Sequence, residues 1–205
     1  MRVRKSAADR RAEITRAALS LAFELGPDRV TTGLIADRLG LTQPAIYKHF
    51  PSKEDIWRAA TGNLCDKIDG NIAEAAKEPR PDIRLRKLVT DHLRLLQDNP
   101  ALPDIMVMRD PDGGQSDLRS QVRASMAGFR QALTRAIGEA RAGGLYRADI
   151  DVGDCAALIF GVIQSLVLRL LHLRAPGDLL QEGERLLELQ LLLFAGPGEH
   201  QCDMS

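Results

Sequence analysis

The stretch from Thr31 to Phe50 constrains this chain most, because two short runs of helical apolar spacing meet there at a single glycine. Leu34, Ile35 and Leu39 make the first run, and Gly40 stands where a left-handed residue ends a helix. Thr31 and Thr32 are hydroxyl N-cap candidates ahead of it. Thr42 is placed to cap the second run, Pro44 falls in its first turn where a missing N–H is harmless, and Pro51 closes it just after Phe50. Two short helices about a Gly-containing turn form a geometry in which the second enters a DNA major groove while the first braces it against the backbone.

Helices are expected throughout the chain. Ala and Leu outnumber Val and Ile by 55 to 20, and aromatics are only 4% of the 205 residues. A first amphipathic helix is predicted from Arg10 to Leu25, carried by Ile14, Ala17, Ala18, Leu21 and Ala22 and stopped by Gly26-Pro27. Ser52-Lys53-Glu54-Asp55 resembles a capping box and opens a longer helix through Ile56, Ala59, Ala60, Leu64 and Ile68. Further helices follow from Leu85 to Leu96, from about Ser116 to Ala142, from Ala156 to Leu173 and from Leu179 to Phe194. The expected fold is all-α, with about nine helices in two units. These are a three-helix helix-turn-helix domain over 1–60 and a larger helical domain over 61–196, followed by a disordered tail over 197–205.

Charge supports that division. Lys+Arg and Asp+Glu are equal at 28 each, so no global field draws the molecule to DNA or to an anionic membrane. Residues 1–60 nevertheless carry a net +4 and residues 61–205 a net −4. Cys65, Cys155 and Cys202 are odd in number and lack a CxxC spacing, so neither a disulfide framework nor a zinc site is expected, and a reducing cytoplasm fits best. The basic Met1–Lys5 start lacks the apolar stretch of a signal peptide, and Gln164, Ser165 and Arg169 interrupt the apolar run from Cys155 to Leu173. That run reads as a buried helix, with no membrane partner.

The third short helix offers Gln43, Ala45, Tyr47, Lys48 and His49, a mixture that can read bases and hold phosphates. Glutamine pairs bidentately with adenine for about 1–3 kcal/mol of discrimination, and Pro44 or Ala45 suits a thymine methyl. Helix N-termini after Thr32 and Ser52, the latter beside Lys53, are candidate phosphate sites.

Taken together, Thr31-Thr32-x-x-Ile35-Ala36-x-x-Leu39-Gly40-Leu41-Thr42-x-x-x-Ile46-Tyr47-x-His49-Phe50-x-Ser52-Lys53 closely resembles the helix-turn-helix signature of the TetR family of transcriptional regulators, over residues 10–60. The resemblance implies that Thr32, Tyr47, His49 and Lys53 hold DNA phosphates and that Gln43 and Pro44 touch base edges, with Thr42 and Lys48 completing the DNA-binding set. Gln-Pro there resembles the tetracycline repressor, but Gly33 stands where that repressor has an arginine, so a different operator is expected. Trp57 replaces a smaller aliphatic and is expected to pack between the domains. Arg2, Arg4, Lys5, Arg10 and Arg11 form either a solvated tail or an arm that reaches DNA.

The resemblance further implies a ligand-responsive, homodimeric repressor on a near-palindromic operator, with helices 156–173 and 179–194 as the dimer face and a small-molecule inducer bound in the larger domain. His92, Met106, Phe129, Phe160 and Gln164 are the candidate pocket residues, with Met108 nearby; core packing explains each equally well, and Gln164 suits a dimer face too. Asp110, Asp112 and Asp117 lack the glycine and glutamate of a calcium loop and read as a turn. No metal or cofactor is expected. Glu-x-x-His pairs, GxSxG, GxxxxGK[ST] and HExxH are absent, which speaks against an enzyme.

Overall fold

The computed structural model describes residues 6–101, 116–173 and 178–195. Expectations for Arg2, Arg4, Lys5, Met106, Met108, Asp110, Asp112, Cys202 and the tail fall outside these residues. The described chain contains eight α-helices, a 3₁₀ turn at Pro27–Arg29 and no strand.

Helix α1 spans Ala7–Leu25, three residues earlier than the apolar pattern indicates. Ser6 starts it through a capping box: the Ser6 hydroxyl accepts from the Asp9 N–H at 3.0 Å, and the Asp9 carboxylate accepts in return from the Ser6 N–H at 3.3 Å. Helix α2 covers Thr32–Leu39, and Gly40 follows it with φ +62°, a left-handed conformation that costs other residues energy. The Leu41 N–H reaches back to the Ala36 carbonyl at 2.9 Å, sealing that end. Helix α3 is a brief Gln43–Tyr47, with Lys48 to Phe50 turning away rather than extending it. Helix α4 runs from Lys53 to Ala75 behind the expected box, in which Ser52 Oγ accepts from the Asp55 N–H at 3.1 Å and Asp55 accepts from the Ser52 N–H at 3.1 Å.

Beyond α4 come α5 (Pro81–Asp98), α6 (Ser116–Ala142), α7 (Val152–Leu173) and α8 (Leu179–Phe194). Helix α7 begins four residues before the expected Ala156, because the Asp151 carboxylate accepts the Asp154 N–H at 2.8 Å and caps a polar first turn. These helices pack α4 on α5 and α6, α5 on α6 and α8, and α7 on α6 and α8.

Two apolar cores result. The first joins Ile14, Ala18 and Leu21 of α1 with Ile35, Ile46, Phe50, Ile56, Trp57 and Ala60. The second is built from Leu64, Ile68, Leu85, Leu93, Phe129, Ile137, Ile159, Leu166 and Leu187 among others. Helix α4 contributes to both, with Ile56, Trp57 and Ala60 in one and Leu64, Ile68 and Ala75 in the other. Ala101, just past α5, buries against the first core and supplies a second crossing point. Leu19 and Phe23 of α1 pack against both. Trp57, expected between the domains, is instead 3% exposed inside the first core, since its helical phase places it beside Ile56 and Ala60.

Candidate nucleic-acid interface

Ile46, fully buried, pins α3 to the first core, and the helix therefore turns its opposite face to solvent. Thr42, Gln43, Pro44, Tyr47 and Lys48 are all exposed on or beside that face, Tyr47 by 45%. Ala45 and His49 are half-buried. The Thr42 side chain makes no capping bond, so its hydroxyl is not committed to the helix start. Lys53 is half-buried in the first turn of α4. Hydrogen bonding from Ser52, reinforced by the Arg58 charge, holds the Asp55 carboxyl below its usual range, so the box stays ionised and formed at neutral pH.

Thr32 sits differently from the other candidates. The residue before it caps α2, with Thr31 Oγ1 accepting from the Leu34 N–H at 3.2 Å, and Thr32 itself is only 6% exposed. Its Oγ1 accepts from Gln43 Nε2 at 2.8 Å and lies 3.3 Å from the Tyr47 hydroxyl. Three residues assigned to DNA thus form one hydrogen-bonded group across α2 and α3.

Arg11, expected in a tail or a DNA-reaching arm, lies within α1 and is tied to the end of α3. Its guanidinium donates to the His49 carbonyl and covers the Phe50 ring at 4.0 Å, so α1 holds the end of the α3 turn. Arg10 pairs with Glu13 at 2.9 Å. Arg38 of α2 pairs with Glu24 of α1 at 2.6 Å. No local sequence pattern announces the Arg11 contact, which spans 38 residues.

The pocket candidates scatter in the larger unit. His92 and Phe129 do come together, stacked with ring centroids 4.3 Å apart and both buried in the second core. Burial pushes the His92 pKa down to about 4, so its ring is neutral at physiological pH. Phe160 is half-buried beneath Arg130 at 5.3 Å. Gln164 is exposed on the outer face of α7 and not directed into the core, a correction to its place in the pocket set. Cys65 and Cys155 are free and buried, with burial raising both thiol pKa values.

The outer faces of the last two helices carry a feature that sequence spacing understated. Leu158 and Leu168 on α7 are more than half exposed, as are Leu189, Leu192 and Leu193 on α8, where Leu192 reaches 69%. The segment Val152–His172 is long and apolar enough to cross a membrane, yet only 28% of its most apolar 18 residues is buried within the single chain. It is therefore less buried than its all-round apolar sequence indicates.

Comparison with known proteins agrees with this geometry. Residues 14–60 match the family of bacterial regulatory proteins called tetR, and residues 57–190 match the C-terminal region of YsiA-like proteins. The transcriptional regulator TtgR of Pseudomonas putida is 26% identical over 196 residues, covering 93% of each chain. Among solved structures, the ketosteroid transcriptional regulator KstR2 of Mycobacterium tuberculosis superposes with a TM-score of 0.75 at 20% identity, over 92% of this chain and 96% of that one. FadR of Bacillus subtilis in complex with stearoyl-CoA gives a TM-score of 0.64 at 22% identity, over 88% and 97%.

Fold and exposed short helix together define a helix-turn-helix regulator of transcription. The chain belongs to the TetR family.

Proposed function

We propose that this regulator is a homodimeric repressor that binds a near-palindromic operator in the cytoplasm and leaves it when a small molecule occupies the larger unit. Helix α4 is the observation that carries the reading: one continuous helix packs Trp57 and Ala60 in the DNA-facing core and Leu64 and Ile68 in the other. A ligand that prefers one packing of the second core thereby biases where α3 stands, and operator and ligand must weaken each other by the same factor. The FadR neighbour, solved with stearoyl-CoA, supports a small-molecule effector in a fold of this kind. Exposed leucines on α7 and α8 support two copies meeting there, which would set paired recognition helices about 34–36 Å apart or at a related helical multiple.

DNA contacts then divide into two sets. Gln43 and Pro44 meet base edges, while Thr42, Tyr47, Lys48, His49 and Lys53 hold phosphates.

Selection of bound fragments from the source genome, followed by footprinting, tests the reading. A symmetric protected site is expected, with Lys53→Ala weakening all duplexes and flattening the salt dependence, and Gln43→Ala relaxing choice at one base pair of each half-site. Failure to enrich any sequence at low salt would sink it.

A further inference from the structure

We propose that Thr32 is a positioning residue: its buried hydroxyl orients the Gln43 amide for base reading and does not hold a DNA phosphate. The inference rests on the reading that α3 enters a major groove.

Three observations lead to it. Thr32 is 6% exposed, which leaves its hydroxyl little room for an outside ligand. Thr32 Oγ1 already accepts from Gln43 Nε2 at 2.8 Å. Tyr47 places its own hydroxyl 3.3 Å from the same oxygen. A threonine hydroxyl has one hydrogen and two lone pairs. When the Thr32 hydrogen is directed to the Tyr47 oxygen, Oγ1 remains an acceptor, and the Gln43 amide meets it nitrogen-first.

The orientation of that amide decides what Gln43 can read. With one N–H committed to Thr32, the amide retains a second N–H and its Oε1. That donor and acceptor pair matches the N7 acceptor and N6 amino donor of adenine. The reversed amide would turn Oε1 inward and present only N–H groups, which suits the acceptors of guanine or thymine instead. A free glutamine samples both. Thr32, by accepting from Nε2, selects the adenine-reading one. Gln43 is exposed while its anchor is buried, so the contact that sets its orientation lies away from the base it would read.

The test compares full-length parent, Thr32→Val, Thr32→Ser, Gln43→Ala and the Thr32→Val/Gln43→Ala double variant. All are measured on the selected operator and on duplexes changed one base pair at a time, across a salt series. Thr32→Val keeps shape but removes the hydroxyl, and Thr32→Ser keeps the hydroxyl. For Thr32→Val the expected result is a loss of about tenfold in discrimination at the base pair that Gln43→Ala relaxes, with binding to duplexes altered at that pair unchanged. Thr32→Ser should discriminate like the parent, and the double variant should be no worse than Gln43→Ala alone. Uniformly weaker binding of Thr32→Val to every duplex, with discrimination at that base pair retained, would make Thr32 a phosphate ligand and overturn the proposal. Unaltered discrimination by Thr32→Val would overturn it too. If the parent itself favours no duplex, the groove-reading premise fails, an outcome separate from either result.

Discussion

Arg11 lies with its guanidinium carbon 4.0 Å from the centre of the Phe50 ring while donating to the carbonyl of His49. A flat cation does both jobs at once, stacking on an aromatic face and satisfying a carbonyl at the end of a short helix. Arg11→Ala should therefore lower stability by about 0.5–1 kcal/mol. Arg11→Lys should recover only part of it, because a compact ammonium cannot stack and donate in the same geometry. Urea unfolding of the three proteins checks this. A midpoint for Arg11→Ala equal to that of the parent would show that the contact does not support the recognition helix.

His92 makes stability depend on acid. Its folded pKa of about 4 lies below the ordinary value of 6.5, so between these limits the unfolded chain binds a proton that the folded one refuses. The stability is complete above about pH 6.5 and is lost as the pH falls toward 4, at a slope of up to about 1.4 kcal/mol per pH unit. Denaturation series at pH 7, 6 and 5 should show this extra slope in the parent and its loss in His92→Phe. Parallel pH curves for the two proteins would contradict the assignment.

Two glycines should respond to alanine in opposite directions. A Cβ at Gly70, exposed within α4, would meet nothing within 4 Å, so Gly70→Ala should stabilise by about 0.5–1 kcal/mol through helix propensity. A Cβ at Gly183 would fall on Leu93 Cδ1, with Leu166 Cδ1 only 3.2 Å away, where α8 crosses α5 and α7. Leu93 is fully buried, in an interior packed densely enough that displacing its side chain presses on its neighbours. Gly183→Ala should lose about 1–3 kcal/mol by overpacking. Thermal unfolding measured by circular dichroism separates the two, and a stabilised Gly183→Ala would refute the close helix crossing.

The dimer face is open to charge insertion. Leu168→Glu and Leu192→Glu place a carboxylate where the proposed two-fold would bury leucine twice. Loss of about 1.5 kcal/mol or more at each copy should raise the dissociation constant at least roughly a hundredfold. Sedimentation at micromolar concentration should then find single chains that melt like isolated parent, since both leucines are exposed in one chain. Dimers that persist in both variants would move the interface elsewhere.

How far the sequence could be read follows from the range of each signal. Gly40 and the Ser52–Asp55 box act over a few residues, and both stand where the pattern places them. The Ser6–Asp9 box works by the same chemistry but precedes the apolar repeat, so a reading led by periodicity starts α1 late. Asp151 reads as a cap from sequence and caps α7 in the structure, but the polar turn after it breaks the apolar pattern, so the same reading starts that helix late too. Residue type indicates size and polarity, whereas helical phase decides which neighbour is faced: it puts Trp57 inside the first core, and of the two sequence readings of Gln164 it fits the outer face of α7. The grouping of Thr32, Gln43 and Tyr47 needs two helices in register, and Arg11 on Phe50 needs a third. Such contacts have no local signature.

Trp57 is the only tryptophan in the chain, and it lies in the core that carries α3, on the helix that also enters the second core. The protein therefore has a built-in fluorophore in the core that seats α3. Blue-shifted emission shielded from iodide marks the packed arrangement, and any effector that loosens α4 should redden and quench that light without a label being attached.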